Sequence, residues 1–277
     1  RQMCIRDRIV DAMNLAFRWK HQGKTDFRDE YVRTVQSLAH SYKCSKIIIT
    51  ADGGNSHYRK DICPEYKDNR KERYENQTPE EKYEMELFFK EYEETLNLLS
   101  EKFLVLTYRG VEADDLAAFI VKNRSKLNIE NIWLISSDKD WDLLVNDYVS
   151  RFSTVTRKET TVHNWDEFFD FPQEEYISFK VLTGDKGDNI VGIPGIGPKR
   201  ATDLIAQYES AFNIYDSIPL EGKYKYIQAI NENSELLLKN YKLMDLLSYC
   251  EEAIEFPSHS LIDIENRIKG FLNETRL

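Results

Sequence analysis

Residues 132–140 read Ile132-Trp133-Leu134-Ile135-Ser136-Ser137-Asp138-Lys139-Asp140, a short apolar run, two small polar residues and a pair of acids. The run suits one buried strand and is too short for a buried helix. The same figure occurs twice upstream, where Ile9-Val10 runs into Asp11 and Ile47-Ile48-Ile49 runs through Thr50 and Ala51 into Asp52. A further apolar run spans Phe103–Leu106, and helical periodicity fills Tyr31–Ser41, Glu80–Phe103 and Asp114–Lys122. Strands alternating with helices predict an α/β domain whose central sheet is mostly parallel and flanked by helices. An acid just past the carboxyl end of a strand lies where such sheets bind ligands.

Three compact acid clusters extend this pattern: Glu112-Ala113-Asp114-Asp115, Asp138-Lys139-Asp140 and Asp185-Lys186-Gly187-Asp188. Taken singly, each has a local explanation. The first suits a helix N-terminus, and the other two suit turns. Together with Asp11 and Asp52 they make nine acids, and carboxylates brought together repel unless cations neutralise them. Oxygen ligands without His or Cys select Mg²⁺, with Mn²⁺ as a substitute. Two such ions about 3.5–4 Å apart are the arrangement that stabilises both oxygens exchanged in phosphodiester hydrolysis.

The 277 residues give room for one large domain or two modest ones. Lys and Arg number 38 against 48 Asp and Glu, a net charge of −10 that argues at first against a nucleic-acid partner. Without the nine clustered acids, 38 cations face 39 acids, and the objection falls away. Cys4, Cys44, Cys63 and Cys250 form no C-x-x-C pair, and the five histidines show no ligand spacing, so a zinc site is disfavoured. No G-x-x-x-x-G-K-[ST] is present, which disfavours a P-loop ATPase. No run approaches the ~18–20 apolar residues of a membrane span, and the first thirty residues are too charged for a secretory signal. A cytoplasmic protein without a membrane partner is expected. The opening RQMCIRDRIVDA puts charges where a first strand should be apolar, as a fragment or residues foreign to the natural protein would.

Beyond Asp185 the strand pattern stops, and GIPGIGPKR at 192–200 reads as a glycine-rich hairpin opening a helix near Pro198. Gly192, Gly195 and Gly197 would let a phosphate approach the backbone, with Lys199 and Arg200 adding charge, and the loop carbonyls are a candidate K⁺ site. The alternative for these glycines is packing in a helix corner. Cys63–Lys102 reads as an excursion from the sheet, dense in charge and aromatics. Within it Lys67 and Arg70 are placed to polarise a phosphate and Tyr66 to stack on an unpaired base, against the plainer reading of a solvated helix. Arg18, Lys180, Lys223 and Lys225 are further candidates for phosphate contact.

VDAMNLAFR, PEYKDNR, RGVEADDLAA, ISSDKDWD and LTGDKGDNIVGIPGIGPKR, in this order, resemble the bacteriophage 5′-3′ exonuclease/flap endonuclease family, relatives of the 5′-nuclease domains of bacterial DNA polymerases. The resemblance spans residue 9 to at least 230. It implies a PIN-like core over 1–180 with a helical arch at about 63–103, and a helical region over 181–277 whose helix–three-turn–helix grips duplex DNA. It also implies a first metal site of Glu112, Asp114, Asp115 and Asp138, and a second of Asp140, Asp185 and Asp188, with Asp138 near both. Asp11 and Asp52 match the strand-end acids, and Asp11 joins Lys67 and Arg70 at the reacting centre. Lys180, Lys199 and Arg200 match contacts to the downstream duplex. Ala12 and Met13 depart from the Gly-Thr that usually follows the first acid.

The function so implied is a monomeric, Mg²⁺-dependent structure-specific 5′ nuclease in DNA replication, working in a bacterial host's cytoplasm and acting on flaps, gapped duplexes or other 5′-ended DNA. Two other readings stay open: a relative that mainly removes RNA primers from RNA/DNA hybrids, and a non-catalytic junction-binding protein whose acids hold a structural cation.

Overall fold

The computed structural model describes residues 6–40 and 46–274. Cys4 and Cys44 lie outside the described residues. In chain order the first elements are β1 (Arg6–Asp11), α1 (Ala12–Lys20), α2 (Arg28–His40), β2 (Ile47–Thr50), α3 (His57–Ile62), α4 (Asp68–Glu75) and α5 (Pro79–Ser100). There follow β3 (Leu104–Leu106), α6 (Ala113–Lys122), β4 (Asn131–Ile135), β5 (Val149–Phe152) and β6 (Glu159–Thr160). The sheet runs β3-β2-β1-β4-β5-β6, parallel throughout except for the β5–β6 pair. This is the expected α/β class.

The chain winds from β1 outward to β3 and then crosses to β4 on the other side of β1. The strand order therefore reverses between β1 and β4, the position where doubly wound sheets form a crevice at their carboxyl ends. Asp11 ends β1, while Asp52 and Asp138 follow β2 and β4 by two and three residues.

The charged opening nevertheless forms the central strand. Arg8 is buried, with its guanidinium 5.0 Å from the Trp133 ring centroid, and Asp7 Oδ1 accepts the Lys46 backbone N–H at 2.8 Å. A flat guanidinium over an indole keeps part of its charge compensation while presenting a broad apolar face, so the strand tolerates it.

One face of the sheet packs on α6, whose Leu116–Val121 are all buried, and the other on α1, α2 and α5 through Trp19, Phe27, Tyr31 and Phe88. Helix α5 begins with a Thr78/Glu81 capping box and Pro79 at its first position. Its buried residues, Phe88, Tyr92, Thr95 and Leu99, begin only at its tenth residue, and α4 has none. The expected excursion is thus α4 and the first turns of α5. The rest of α5 is core, because its apolar residues fall at helical spacing against α1 and α2.

Beyond the sheet come α7 (Tyr176–Thr183), a small hairpin of β7 (Gly184–Asp185) and β8 (Ile190–Val191), and six helices: α8 (Pro198–Tyr208), α9 (Ala211–Asp216), α10 (Lys225–Glu232), α11 (Ser234–Met244), α12 (Leu246–Glu255) and α13 (Leu261–Asn273). The hairpin shows that strand pairing does not stop at Asp185. Helices α7 to α11 share an apolar cluster of their own, whereas α12 and α13 return to the sheet domain and bury Cys250, Ile254, Ile264 and Ile268 beside α6. Among the described residues no helix is long and apolar enough to cross a membrane.

Candidate active site

Asp11, Asp52, Asp114, Asp138, Asp140, Asp185 and Asp188 line one cavity of about 330 Å³ at the carboxyl ends of β1, β2 and β4. Each is held by local structure. Asp11 caps α1, accepting from Asn14 N at 3.0 Å and from Ser136 Oγ at 2.7 Å, while Asn14 Oδ1 accepts Ser137 N–H at 2.8 Å and so ties α1 to the β4 end. Asp52 accepts Ala113 N–H at 2.8 Å, which seats α6 against β2. Asp114 accepts the Trp141 indole N–H at 2.6 Å. Asp138 caps the 3₁₀ turn of Lys139–Leu144 through Asp140 N–H at 2.9 Å. Asp185 accepts Gly187 and Asp188 N–H at 2.7 and 3.2 Å. Capping and site geometry are therefore one arrangement, because the bonds that satisfy turns and helix ends also aim the remaining carboxylate oxygens into the cleft.

The acids disturb one another. Burial, then the Asp52 and Asp138 charges, push Asp11 up to about 7 against its two hydrogen bonds. Burial with Asp138 and Asp11 raises Asp114 well above the carboxylate range. Burial also carries Asp140 to about 6, against the Lys180 charge and with support from Asp138 and Asp185. Asp52 is raised by burial and by Glu112, against the Ala113 N–H and the Lys67 and Arg70 charges.

Three side-chain cations stand among these acids. Lys180 bridges Asp140 and Asp185 with only 7% of its side chain exposed. Burial opposes the Asp185 charge, yet Lys180 holds that carboxyl below its ordinary value. Lys180 is thus a counter-ion inside the cavity wall, not the surface contact to duplex expected from the sequence. Lys67 donates to Glu112 at 2.8 Å and lies 3.6 Å from Asp188, and Arg70 donates to Asp188 at 2.5 Å. Among the described residues no three His, Cys, Asp or Glu side chains converge to hold one ion as they stand. The donor set still fits divalent cations, since seven hard carboxylates on one cavity outnumber the three cations placed among them.

Lys67 and Arg70 reach the cleft because the base of the arch is pinned to the β7–β8 hairpin. Lys67 N–H donates to Asp188 O at 2.9 Å, Asn69 Nδ2 to Lys186 O at 2.8 Å and Asn189 Nδ2 to Glu65 O at 2.7 Å. Lys67 itself has φ +59°, a left-handed conformation costly for a side-chain-bearing residue and retained here under these ties.

Three expected site residues have other surroundings. Asp115 is fully buried and pairs bidentately with Arg59, at 2.7 and 2.8 Å, away from the cavity. Both oxygens of Asp115 face the guanidinium fork and the residue does not line the cavity, so as it stands Asp115 anchors α6 to α3 rather than joining the expected ligands. Glu112 is buried beneath Ser56 N–H, Arg59, Tyr66 and Lys67, and its carboxyl lies below its usual value because Lys67 and Arg59 outweigh the burial that opposes them. It holds Lys67 in place. Tyr66 is 2% exposed and shares its one hydroxyl proton between Glu112 and Asp188, at 2.9 and 3.0 Å, so it does not present a face for a base to stack on. Arg59, Ser136, Asn14 and Trp141 organise the site but carry no sequence signal. Arg59 in particular sits in HYRKDI, which reads as solvated.

On the helical side, α8 starts at Pro198 after Gly197, with no side chain capping its N–H groups. Gly195 has φ +80° and Gly197 has open space around it, whereas a side chain at Gly192 would strike the Thr183 carbonyl at 2.3 Å. Gly192 is therefore a packing glycine, and Gly195 and Gly197 form the exposed turn. Lys199, Arg200, Lys223 and Lys225 are exposed, and Arg200 lies 5.1 Å from the Tyr226 ring, which brings the start of α8 beside the start of α10. Arg18 is exposed on α1 beside Trp19.

A larger cavity of about 840 Å³ adjoins the acid site and shares Asp52, Lys67 and Arg70 with it.

Residues 8–170 match the family model described as 5′-3′ exonuclease, N-terminal resolvase-like domain, and residues 171–265 match 5′-3′ exonuclease, C-terminal SAM fold. The flap endonuclease of Escherichia phage T5 is 45% identical over 257 residues, covering 92% of this chain and 88% of that protein. A solved complex of a phage T5 flap endonuclease variant with DNA and metal ions superposes with a TM-score of 0.91 at 42% identity, over 96% of this chain and 99% of the other. The phage T5 5′-exonuclease with bound zinc ions gives 0.90 at 43% identity, over 96% and 98%. These matches run from the central strand through the hairpin and into α13, so the acids, the arch base and the exposed turn fall inside one continuous likeness, and the chain belongs to the 5′-3′ exonuclease family.

Proposed function

We propose that this protein is a structure-specific 5′ nuclease, a flap endonuclease and 5′-3′ exonuclease that hydrolyses DNA phosphodiesters where a single strand meets a duplex. The observation that carries this is the seven-acid cavity at the strand-order reversal, with Lys67 and Arg70 reaching into it from the base of an arch.

Mg²⁺, with Mn²⁺ as substitute, would be held by Asp114, Asp138, Asp140, Asp185 and Asp188, with Asp11 and Asp52 behind them, and when bound it supplies a nucleophile at neutral pH and charge neutralisation at the leaving oxygen. The protein's own part is positioning. Lys67 and Arg70 neutralise charge on the scissile phosphate once they leave Asp188 and Glu112 for it. Glu112 and Tyr66 fix where Lys67 starts from. Lys180 keeps Asp140 and Asp185 together.

The exposed turn, with Lys199 and Arg200, and Lys223 and Lys225 nearby, binds the phosphates of the adjoining duplex without reading sequence. Arg18 is a further phosphate contact. A K⁺ at the Gly192–Gly197 turn would compete with Ile196 N–H and Arg200 for the carbonyls of Ile193 and Gly195. The nuclease unit extends to about residue 180, the arch expected at 63–103 being α4 and the first turns of α5, and a monomer suffices because every element of the site lies in one chain.

Cleavage of a 5′-labelled flap duplex in Mg²⁺, in Ca²⁺ and in EDTA, beside a fully paired control, tests this. Mg²⁺-dependent release near the junction supports it, and a 10-fold rate ratio, about 1.4 kcal/mol of barrier, resolves the preference for flap over paired DNA and for DNA over RNA 5′ ends. Tight binding with no cleavage in Mg²⁺ or Mn²⁺ would refute it.

A further inference from the structure

Between β6 and α7, residues 162–174 border a cavity of about 700 Å³ that shares no residue with the acid site or with the 840 Å³ cavity beside it. Val162, Phe169 and Pro172 offer it apolar surface, backed by the buried Trp165 and Phe171. Internal bonds fix its shape. The Trp165 ring stacks on Phe169 at 4.5 Å, the indole N–H donates to Phe171 O at 2.8 Å, and Gln173 Nε2 donates to Asp142 O at 3.1 Å. A groove already shaped spares a ligand part of the ordering cost of binding.

The rim carries one sign of charge. Asp166, Asp170 and Glu174 line the groove, all exposed, and none of their carboxylates has an ion pair or a hydrogen bond. No lysine or arginine lines the cavity, and residues 161–179 hold five acids without a lysine or arginine. A smaller cavity continues from Val162 and His163 past Asp147, a further exposed acid, so the acidic track is elongated. This is the opposite of the turn that carries Lys199 and Arg200, and it repels phosphates. An apolar centre with a charged rim is the anatomy of a protein-binding surface, and the sign of the rim selects what docks there.

We propose that this groove docks a cationic segment of a protein partner, an extended stretch in which lysines or arginines flank one aromatic or large aliphatic side chain. The apolar side chain enters beside Phe169, and the cations meet Asp166, Asp170 and Glu174. Such a partner occupies no residue of the acid site.

Anisotropy titrations with labelled peptides test this. One peptide has arginines on both sides of a central tryptophan, a second has glycine in place of the tryptophan, and a third has glutamates in place of the arginines. Each is titrated with the parent, with the groove variant Asp166→Asn, Asp170→Asn, Glu174→Gln, and with Glu101→Gln, Glu232→Gln, Glu255→Gln, which neutralises as many exposed acids elsewhere. The arginine–tryptophan peptide should bind the parent about 10-fold more tightly than the glycine peptide and should lose about 10-fold with the groove variant, the scale of three exposed charge pairs. The remote variant should cost it less than about 2-fold, and the glutamate peptide should not bind. Asp170→Asn alone should lose about 2- to 3-fold, which keeps the test open if the triple variant melts early. On binding, amides of residues 162–174 should gain protection from hydrogen exchange. Equal losses in the two triple variants would mean general attraction to an acidic protein and would overturn the proposal, as would equal binding of the tryptophan and glycine peptides or protection confined to other segments. Flap cleavage should be the same in the parent and the groove variant; a changed rate would put the groove on the substrate path and overturn the proposal. If the parent cleaves nothing, the nuclease reading falls and the peptide titrations decide the groove by themselves.

Discussion

Replacing Asp115 with asparagine separates two roles for an acid one residue from Asp114. In the structure both Asp115 oxygens face Arg59, at 2.7 and 2.8 Å, in a pair whose side chains are 0% and 4% exposed. Removing one partner of such a pair leaves a buried uncompensated charge, which costs about 3–5 kcal/mol. Arg59 keeps Leu243 O at 2.8 Å and a longer 3.4 Å contact to Glu112, so the lower end, about 3 kcal/mol, is expected. For a chain of this size that is a fall in Tm of roughly 6–12 °C. Thermal melts in EDTA and in Mg²⁺ measure it, together with single-turnover cleavage below both transitions. The variant should melt early in both media, keep its Mg²⁺-induced rise in Tm, and retain cleavage at low temperature. A variant that melts within ~1 °C of the parent but no longer responds to Mg²⁺ would place Asp115 on an ion and refute the assignment.

Asp188→Asn and Asp140→Asn should depress turnover more than DNA affinity, read by single-turnover rates against binding in Ca²⁺; equal losses would count against metal-centred roles. Tyr66→Phe keeps a ring and removes the bonds to Glu112 and Asp188, so cleavage should fall by about 5- to 10-fold, whereas a base-stacking Tyr66 would tolerate phenylalanine without loss. Divalent ion should raise Tm by mass action, about 2.7 kcal/mol at a hundred times Kd, and Asp114→Asn should blunt the rise; an unchanged Tm over a wide Mg²⁺ titration would argue against a built ion site. Burial carries the Cys250 thiol up to about 12, so the peptide bearing it should resist alkylation at pH 8 in the native protein and react after denaturation, and native labelling at the unfolded rate would contradict its placement under α6.

The sheet was legible because its signal is local. Ile47–Ile49 and Ile132–Ile135 are short apolar runs, and an acid two or three residues past each marks the strand's carboxyl end without any tertiary information. Helix α6 was legible for the same reason. What the chain hides is pairing across distance. Arg59 finds Asp115 56 residues away and Lys180 finds Asp140 40 residues away, and a lysine or arginine in a polar helix reads as solvated until its partner is known. Tyr66 and Glu112 were misread for that reason, and so was Gly192, whose neighbour is the Thr183 carbonyl rather than a ligand. The charged first strand misleads in the opposite direction, because the sequence does not show that Arg8 will lie over the Trp133 ring of the adjacent strand.

The corrected site explains its own composition better than the expected one. Nine acids in one cluster would leave a large negative surplus with no visible compensation. Two of them do not line the cavity of the other seven: Asp115 pairs with Arg59, and Glu112 with Arg59 and Lys67. The seven that remain on the cavity face Lys67, Arg70 and Lys180. Lys67 is shared between Glu112 and the cavity, so if all nine acids are ionised they exceed Arg59, Lys67, Arg70 and Lys180 by five negative charges, a surplus that calls for added cations. The raised values of Asp11, Asp114 and Asp140 express that surplus, for enclosed carboxylates without enough counter-charge resist ionisation. An incoming phosphodiester adds further negative charge to a site already in excess, so Lys67 and Arg70 can move onto the phosphate only if other positive charge takes over at Asp188 and Glu112. On the proposed function, ion binding and substrate binding would be coupled by this exchange of partners, through the segment of Lys67 and Arg70 that is pinned to the loop carrying Asp185 and Asp188.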